Sequence, residues 1–420
     1  MAIAFRSDLC GVNVIVVALV LTWCLLLGSI VPESTALAQT PAIDSPVRQT
    51  WQAVFPEEGA VRAVVTEGDV IYLLTNEGIV HALAATDGHE LWRTSGWLVP
   101  ETTRCPYDPP KLRSVTYAGF SPQNNVFLAV DGDLVIAALC AGWENYQTDQ
   151  QLLLLDKTTG KLRGTWPVIG GRLVGVHNGV LVIAAQYGVY GVSLTTQSEI
   201  WRIAAEQPYN APSFEGMVDG VVLTRLYLDN QPVLTARSIA EGTVLWEMPV
   251  SSDSYTVLGG GESVLLTRRK DGGDEEELVA MDPRTGAELW QSDLTGFSGS
   301  IYWMETVVQG GVVYVYLNAA PGRIAAVNAD SGAVLWNVET PFGIRRARLF
   351  GGLIYCVGVD DERLHPRLHA LDGESGLEVW AGLPGSDLLP VSSPNDLLLV
   401  TSSREGTSTS DAVVTALQIR

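Results

Sequence analysis

The chain has 420 residues, of which 47% are hydrophobic and 17% charged, so it has enough apolar side chains for a large core and is not disordered by composition. Its formal net charge of −21 would repel a phosphate backbone, which excludes nucleic acid as an expected partner. An acidic balance of this kind keeps an exported protein soluble.

The first 38 residues are typical of an export signal. Arg6 precedes an apolar run from Val12 to Val31, and the small residues Ala36 and Ala38 flank Leu37 in a cleavage-site pattern. We predict a signal peptide over residues 1–38, followed by a linker over residues 39–47. Because the apolar run is about 20 residues long, an uncleaved membrane anchor is the alternative. Both alternatives predict that the remainder is exported.

A repeat of about 40–45 residues fills the rest of the chain. One unit runs from Leu278 to Trp290 and consists of a short apolar strand, a turn that ends in Gly286, and a tryptophan four residues after that glycine. The glycines recur at Gly88, Gly160, Gly242, Gly286, Gly332 and Gly376, and the tryptophans at Trp51, Trp92, Trp201, Trp246, Trp290, Trp336 and Trp380. One unit has Gln197 in place of the glycine, and another has Gly164 in place of the tryptophan.

Between these units lie eight hairpin corners, each followed by a β-branched or aliphatic run. Their positions are Gly68, Gly132, Gly179, Gly220, Gly261, Gly311, Gly352 and Asn395. Each period therefore holds four short antiparallel strands, which is the pattern of a β-propeller blade. We predict an all-β protein in which residues 48–420 form an eight-bladed propeller.

The two ends of the repeat region complete one blade. Residues 413–420 match the third strand of a blade but stop before its turn, whereas Trp51 lies on a fourth strand with nothing before it. We expect these N- and C-terminal strands to pair and close the ring, which removes the open sheet edges that favour aggregation.

The repeated tryptophans and glycines are predicted to be structural. A large ring buried between blades would stabilise the core, with its indole N–H donating to a backbone carbonyl. Glycine supplies the positive φ at the end of the turn, and the aspartates that begin three of the turns, Asp156, Asp282 and Asp372, can accept bonds from the turn backbone.

The residue ten positions before each tryptophan is small in seven of eight units: Ala82, Gly191, Ala236, Ala280, Ala326, Ala370 and, for the split blade, Ala416. A small residue there leaves space for a neighbouring ring. The exception, Leu154, belongs to the unit with Gly164 in place of tryptophan, so one side-chain volume is expected to replace the other.

The segment Ala280 to Trp290, with Asp282, Thr285 and Gly286 at its turn, resembles the PQQ-like propeller repeat, and the resemblance covers roughly residues 48–420. The resemblance implies an eight-bladed fold but not one function, because the repeat serves two groups. Quinoprotein dehydrogenases hold pyrroloquinoline quinone (PQQ) and Ca²⁺ at the propeller centre. The other group contains non-catalytic periplasmic propellers similar to BamB, an accessory subunit of the outer-membrane assembly machinery. The chain lacks the adjacent Cys-Cys pair of the first group, and no lipobox typical of BamB is evident.

The repeat is interrupted most strongly in its second unit, where 40 residues separate Trp92 from Gly132 instead of 15–21. Long aromatic loops are where propellers usually carry function. We therefore predict a partner-binding surface made of Trp97, Tyr107, Trp143 and Tyr146, with an ordered cap that binds nothing as the alternative. The inserted segment and the loop after the second strand leave the same face of the ring, so we also predict a disulfide between Cys105 and Cys140.

No catalytic or metal-binding motif is present. The chain has no His-Glu-x-x-His, Gly-x-Ser-x-Gly or P-loop sequence and only five histidines. His365 and His369 would lie ~13 Å apart on a strand, too far to share an ion. Acidic residues at 271–277 and 360–362 lack the alternate-residue spacing of a Ca²⁺ loop, and Cys356 is expected to be a buried thiol.

These observations predict an exported, monomeric, non-enzymatic scaffold that binds protein partners in the periplasm or cell envelope, without a metal or cofactor. The alternative is a propeller that binds PQQ with Ca²⁺, or another small ligand, and has dehydrogenase activity of the quinoprotein type.

Overall fold

The structure is a computed structural model, and it describes residues 47–58, 60–75, 77–94, 126–139, 150–168, 171–185, 188–204, 212–228, 231–250, 255–257, 262–269, 276–294, 296–297, 304–317, 321–360, 363–384, 391–392, 397–404 and 411–419. The predicted signal peptide lies outside these residues. In the described part of the chain, no helix is long and apolar enough to cross a membrane.

The regular structure is entirely β. The first sixteen strands are β1 (Val47–Phe55), β2 (Val61–Glu67), β3 (Val70–Thr75), β4 (Val80–Ala84), β5 (Glu90–Arg93), β6 (Val126–Asp131), β7 (Leu134–Leu139), β8 (Gln150–Asp156), β9 (Leu162–Val168), β10 (Gly171–His177), β11 (Val180–Ala185), β12 (Gly188–Ser193), β13 (Ser198–Ala204), β14 (Ser213–Val218), β15 (Val221–Leu228) and β16 (Gln231–Ser238).

The remaining strands are β17 (Val244–Pro249), β18 (Tyr255–Val257), β19 (Val264–Arg269), β20 (Glu276–Met281), β21 (Glu288–Leu294), β22 (Met304–Gln309), β23 (Val312–Leu317), β24 (Gly322–Asn328), β25 (Val334–Thr340), β26 (Gly343–Phe350), β27 (Leu353–Asp360), β28 (Arg363–Asp372), β29 (Glu378–Pro384), β30 (Val391–Ser392), β31 (Leu397–Arg404) and β32 (Asp411–Ile419).

These strands form eight four-stranded antiparallel sheets, which are the blades of a ring. Blade 1 consists of β2 to β5, and each following set of four strands forms the next blade up to blade 7, β26 to β29. Blade 8 has the order β1-β32-β31-β30 and therefore joins the two ends of the described chain. The predicted eight-bladed propeller and its closure by the terminal strands are confirmed.

The closing strand β1 pairs with β32 along its whole length. Val47 lies opposite Ile419 and Phe55 opposite Ala412, and Trp51 lies opposite Ala416. In each of the other seven blades, the residue at the tryptophan position pairs across the strands with the residue ten positions before it, including Gly164 with Leu154. The small residues predicted from spacing are therefore the direct neighbours of the tryptophans within each blade.

The core consists of eight hydrophobic clusters, each formed by two neighbouring blades. Alternate residues of one strand serve different clusters because side chains alternate across a sheet. On β8, Leu153 and Leu155 pack towards blade 1, whereas Leu152 and Leu154 pack towards blade 3. Since both faces of a blade are covered, its middle strands are continuously apolar.

Six of the predicted corners lie within the described residues. Each lies in the turn between the first and second strands of its blade and contains a glycine with positive φ: Gly68, Gly132, Gly179, Gly220, Gly311 and Gly352. Gly261 and Asn395 lie outside the described residues. The first strands of neighbouring blades contact one another, for example β2 with β6 and β30 with both β26 and β2. These first strands therefore line the centre of the ring, and the tryptophan strands form its rim.

Candidate functional site

The four aromatic residues predicted as a partner surface, Trp97, Tyr107, Trp143 and Tyr146, lie outside the described residues, as do Cys105 and Cys140. The structure describes the positions that anchor their two segments. Val126, the first residue of β6, pairs with Leu139, the last residue of β7. The residue that follows segment 95–125 and the residue that precedes segment 140–149 are therefore cross-strand neighbours in blade 2.

The repeated tryptophans join neighbouring blades, as their predicted structural role requires. In six blades the indole Nε1 donates to a backbone carbonyl of the next blade at 2.6–3.0 Å, with the acceptors Ala85, Lys157, Ile239, Pro283, Ala329 and Gly373. Each of these rings also lies against the turn glycine of that next blade, where no Cβ would fit. The glycines have φ between 68° and 72°, a conformation that L side chains rarely adopt.

The turn aspartates also have the predicted role. The Oδ1 atom of Asp156 accepts bonds from the backbone N–H groups of Thr158 and Thr159, and Asp282 and Asp372 bond their turns in the same way. Hydrogen bonds from Arg163 and Thr159 lower the pKa of Asp156 to about 2. These hydrogen bonds hold the turns in place.

A β-bulge precedes the tryptophan position in all eight blades, a feature that the sequence reading missed. The residue immediately before that position has no direct partner on the neighbouring strand, and the bulged residues are Thr50, Leu91, Arg163, Ile200, Leu245, Leu289, Leu335 and Val379. Five of these aliphatic side chains, which we call the rim aliphatics (Leu91, Ile200, Leu245, Leu289 and Leu335), are 40–53% exposed. Bulges of this kind protect the rim strands from pairing with other chains.

Two buried histidines occupy equivalent positions in blades 1 and 7. His81 Nδ1 lies 2.8 Å from Glu90 Oε2, and His369 Nδ1 lies 2.8 Å from Glu378 Oε1. In both blades the histidine stands eleven residues, and the glutamate two residues, before the tryptophan, so this spacing could have been found in the sequence.

The remaining chemical groups do not form a catalytic arrangement among the residues that the structure describes. No cluster of three His, Cys, Asp or Glu side chains there could hold a metal ion. Cys356 is fully buried as predicted, and burial raises the pKa of its thiol, which keeps it unreactive. His369 lies on an extended strand, β28, together with His365, as predicted.

An ion pair lies at the centre of the ring in blade 4. Glu215 on the innermost strand β14 bonds Arg225 at 3.1 Å and Ser213 at 2.7 Å. Burial raises the pKa of Glu215, although Arg225 opposes that shift. Because the pair satisfies both charges, we assign it to the stability of blade 4.

Comparison with known proteins shows similarity to one family over part of the chain. A family model described as outer membrane protein assembly factor BamB matches residues 274–419. BamB of Moranella endobia is 24% identical over 221 residues, which cover 50% of this chain and 53% of that relative. BamB of Yersinia pestis is 24% identical over 278 residues, which cover 64% of this chain and 65% of that relative. The matches thus span about half to two thirds of the length of these curated relatives.

Solved structures with the same architecture include both groups implied by the repeat. BamB from Moraxella catarrhalis has a TM-score of 0.53 at 14% identity and covers 89% of this chain and 100% of its own. Quinohemoprotein alcohol dehydrogenase from Comamonas testosteroni has a TM-score of 0.54 at 13% identity and covers 88% of this chain and 76% of its own. At these identities the likeness shows the fold alone. The tryptophan repeat, the eight four-stranded blades and these matches together support a PQQ-like β-propeller family for this chain.

Proposed function

We infer that the protein is an exported, non-catalytic propeller that binds other proteins in the bacterial cell envelope, in the manner of a BamB-like scaffold. The observation that carries this proposal is the BamB match to residues 274–419, which make up the last blades of the ring. Nearly every described residue belongs to a blade or to a turn between its strands. What the protein offers a partner is therefore the surface of the ring.

We place the partner surface on the face of blade 2 where the two long segments are attached. The pairing of Val126 with Leu139 brings one end of each segment onto adjacent strands, which supports a joint surface made of Trp97, Tyr107, Trp143 and Tyr146. Aromatic side chains of this kind are enriched in interface cores, where they bury large areas at low entropic cost. A disulfide between Cys105 and Cys140 would join the two segments.

The test is affinity purification of the exported protein from the envelope, with the wild type compared with alanine variants at the four aromatic positions. We expect a defined envelope protein to co-purify and to be lost when two or more of these aromatic residues are replaced. Leu289→Ala, at a rim position of blade 5, is the matched control and should retain the partner. Unchanged capture by the quadruple variant would exclude this surface, and absence of any envelope partner would contradict the scaffold function.

A quinoprotein-type function is the second candidate, because solved quinohemoprotein dehydrogenases have the same fold. The described residues do not fit the metal part of such a site, since no three His, Cys, Asp or Glu side chains among them are arranged to hold a metal ion. We therefore derive no reaction step through PQQ or Ca²⁺. Titration with PQQ and Ca²⁺, followed by absorption spectroscopy and dye-linked alcohol or sugar oxidation, separates the two candidates. Sustained turnover would refute the non-catalytic scaffold.

Localisation and oligomeric state are separate parts of the proposal. Cell fractionation should place the protein in the periplasm or on the envelope, and light scattering of the purified protein should give the mass of a monomer. A cytoplasmic location would contradict the predicted signal segment of residues 1–38.

A further inference from the structure

The innermost strand of blade 7 is basic. β26 carries three arginines, Arg345, Arg346 and Arg348, and no acidic residue. The chain as a whole has the opposite balance, with 26 basic residues against 47 acidic ones. Positive charge is therefore concentrated on one strand at the centre of an otherwise acidic ring.

Strand register determines which face of blade 7 carries two of these arginines. Arg346 lies opposite Val357 on β27, and the next pair but one is Arg348 with Tyr355. Val357 and Tyr355 pack in the hydrophobic cluster shared by blades 7 and 8. Cross-strand partners lie on the same face of a sheet, so Arg346 and Arg348 belong to the face directed towards blade 8. Residues two positions apart on a strand are about 7 Å apart.

The third arginine is placed by a β-bulge. The pairing of β26 with β27 shifts between Ile344 and Arg346, so Arg345 has no direct partner on β27. Arg345 and Arg348 are both exposed, although neither is at an end of the strand. Because the faces of a blade are covered by its neighbours, an exposed side chain in the interior of an innermost strand is directed to the central opening.

Blade 1 has a matching arginine. Arg62 on β2 is also the extra residue of a β-bulge, and both Arg62 and Arg345 stand five residues before the end of their strands. β2 and β26 each contact β30, the innermost strand of blade 8. Bulges re-aim side chains and are frequent beside functional sites. We call these four residues on the two sides of β30 the basic sector: Arg62, Arg345, Arg346 and Arg348.

The charges of other innermost strands are balanced locally. Glu215, the bulged residue of β14, bonds Arg225 of its own blade at 3.1 Å. Glu67, at the far end of β2 from Arg62, pairs with Lys157 at 2.9 Å. In the basic sector, Arg348 Nη1 donates to the carbonyl of Ala347 at 2.9 Å, which uses one of the five N–H donors of a guanidinium. The sector thus presents donors and positive charge to the central opening.

We propose that the basic sector binds an extended acidic peptide segment of a partner protein. The guanidinium fork matches the two oxygens of a carboxylate. In an extended peptide, side chains two residues apart lie on the same side and about 7 Å apart, which is the spacing of Arg346 and Arg348. The segment should therefore carry Asp or Glu at alternate positions. This site goes beyond the scaffold function proposed above, because it lies at the centre of the ring and does not involve the aromatic residues of blade 2.

The acidic remainder of the protein does not prevent such binding. At physiological ionic strength, charges more than about 8 Å apart are largely screened from each other. A bound carboxylate therefore interacts mainly with the arginines that it contacts, and repulsion from the distant acidic surface is weak. The attraction is electrostatic, so added salt should weaken it.

The experiment is fluorescence anisotropy of the purified protein with a labelled peptide of alternating Glu and Ser, and with the same peptide carrying Gln for Glu. We expect saturable binding of the Glu peptide alone, weakened when salt rises from about 0.1 M to about 1 M and the Debye length falls from about 10 Å to about 3 Å. In the double variant Arg345→Gln, Arg348→Gln, each lost charge should weaken binding by up to about fivefold, the scale of an exposed ion pair. Equal affinity of the wild type and this variant would overturn the proposal.

Three controls define the site. Arg202→Gln removes an exposed positive charge from the rim strand β13 and should leave peptide affinity unchanged. The quadruple alanine variant of the blade 2 aromatic residues should also bind the peptide normally, so failure of the scaffold proposal and failure of this one are distinguishable. Citrate has three carboxylates but no extended chain. Displacement of the labelled peptide by citrate as effectively as by unlabelled peptide would show a site for small carboxylates and contradict peptide recognition.

Discussion

Gln197 lies against Gly164 across the seam between blades 2 and 3, where a Cβ on Gly164 would stand 3.5 Å from the glutamine Nε2. At six other seams the same two positions are a tryptophan and the turn glycine of the next blade. The two irregular repeat units thus meet at one seam, where the contact between a tryptophan and a turn glycine is missing. Gln197 keeps the left-handed turn at φ 52° without being glycine, and Trp166 packs against the seam instead.

Restoring this contact should stabilise the ring. The triple variant combines Gly164→Trp, Gln197→Gly and Leu154→Ala. Its new tryptophan ring would lie against a turn glycine at position 197 and a small cross-strand neighbour at position 154, as in the other blades. We expect a gain of about 1–3 kcal/mol in the free energy of unfolding, from burial of the ring and relief of the left-handed glutamine. Gly164→Trp alone should cost about 1–3 kcal/mol, because Leu154 and Gln197 occupy the space. Urea unfolding of both variants measures the difference, and equal effects would show that the three positions are not coupled.

The turn glycines should be far less replaceable than the corner glycines. A Cβ on Gly286 would lie 2.8 Å from Cδ2 of Trp246, and the residue has φ 70°. Gly286→Ala is therefore expected to cost about 2–5 kcal/mol, the sum of left-handed strain and a clash with the ring. Gly352→Ala is the matched control, with φ 77° and no atom within 4 Å, and should cost only the strain of about 1–2 kcal/mol. Chemical denaturation measures the free energy of unfolding of both variants. Equal losses for Gly286→Ala and Gly352→Ala would contradict this account.

Asp156 should contribute to acid sensitivity. Its pKa is lowered to about 2 by the hydrogen bonds from Arg163 and Thr159. A depressed pKa means that its contribution is complete above the unfolded value near 3.9 and is lost as pH falls towards 2. Asp156→Asn should therefore reduce stability at pH 7 and make the decline between about pH 4 and 2 shallower. Asp282 accepts no such bond from an arginine side chain in the described structure, so Asp282→Asn should change the loss of stability at acid pH less. Thermal melts of both variants at each pH measure this difference.

Thiol titration tests the cysteine assignments. For the protein without residues 1–38, a disulfide between Cys105 and Cys140 and a buried Cys356 together predict no reactive thiol in the native state. One thiol should appear on unfolding without reductant, and three after reduction. Two free thiols in the native protein would exclude the disulfide, whereas one slow thiol would place Cys356 in an opening segment of blade 7.

Much of the fold could be predicted because it depends on local spacing. The ten-residue interval between Ala280 and Trp290 is the hairpin register itself, and the positive φ of Gly286 follows from the turn between them. Eight such intervals determine the number of blades. The partner surface was predicted from its aromatic composition, and it remains a prediction because those residues lie outside the described structure.

Other features depended on contacts between elements that are distant along the chain. Exposure of Leu289 beside a buried Trp290 results from a bulge in the strand pairing, which periodicity does not reveal. The binding of Glu58 to His81 depends on how β1 turns into blade 1 after pairing with the far end of the chain. The sequence by itself therefore determined the blade, its turns and the order of the ring. Only the tertiary structure decided which groups meet between blades, because those contacts depend on the twist of each sheet and on closure of the ring.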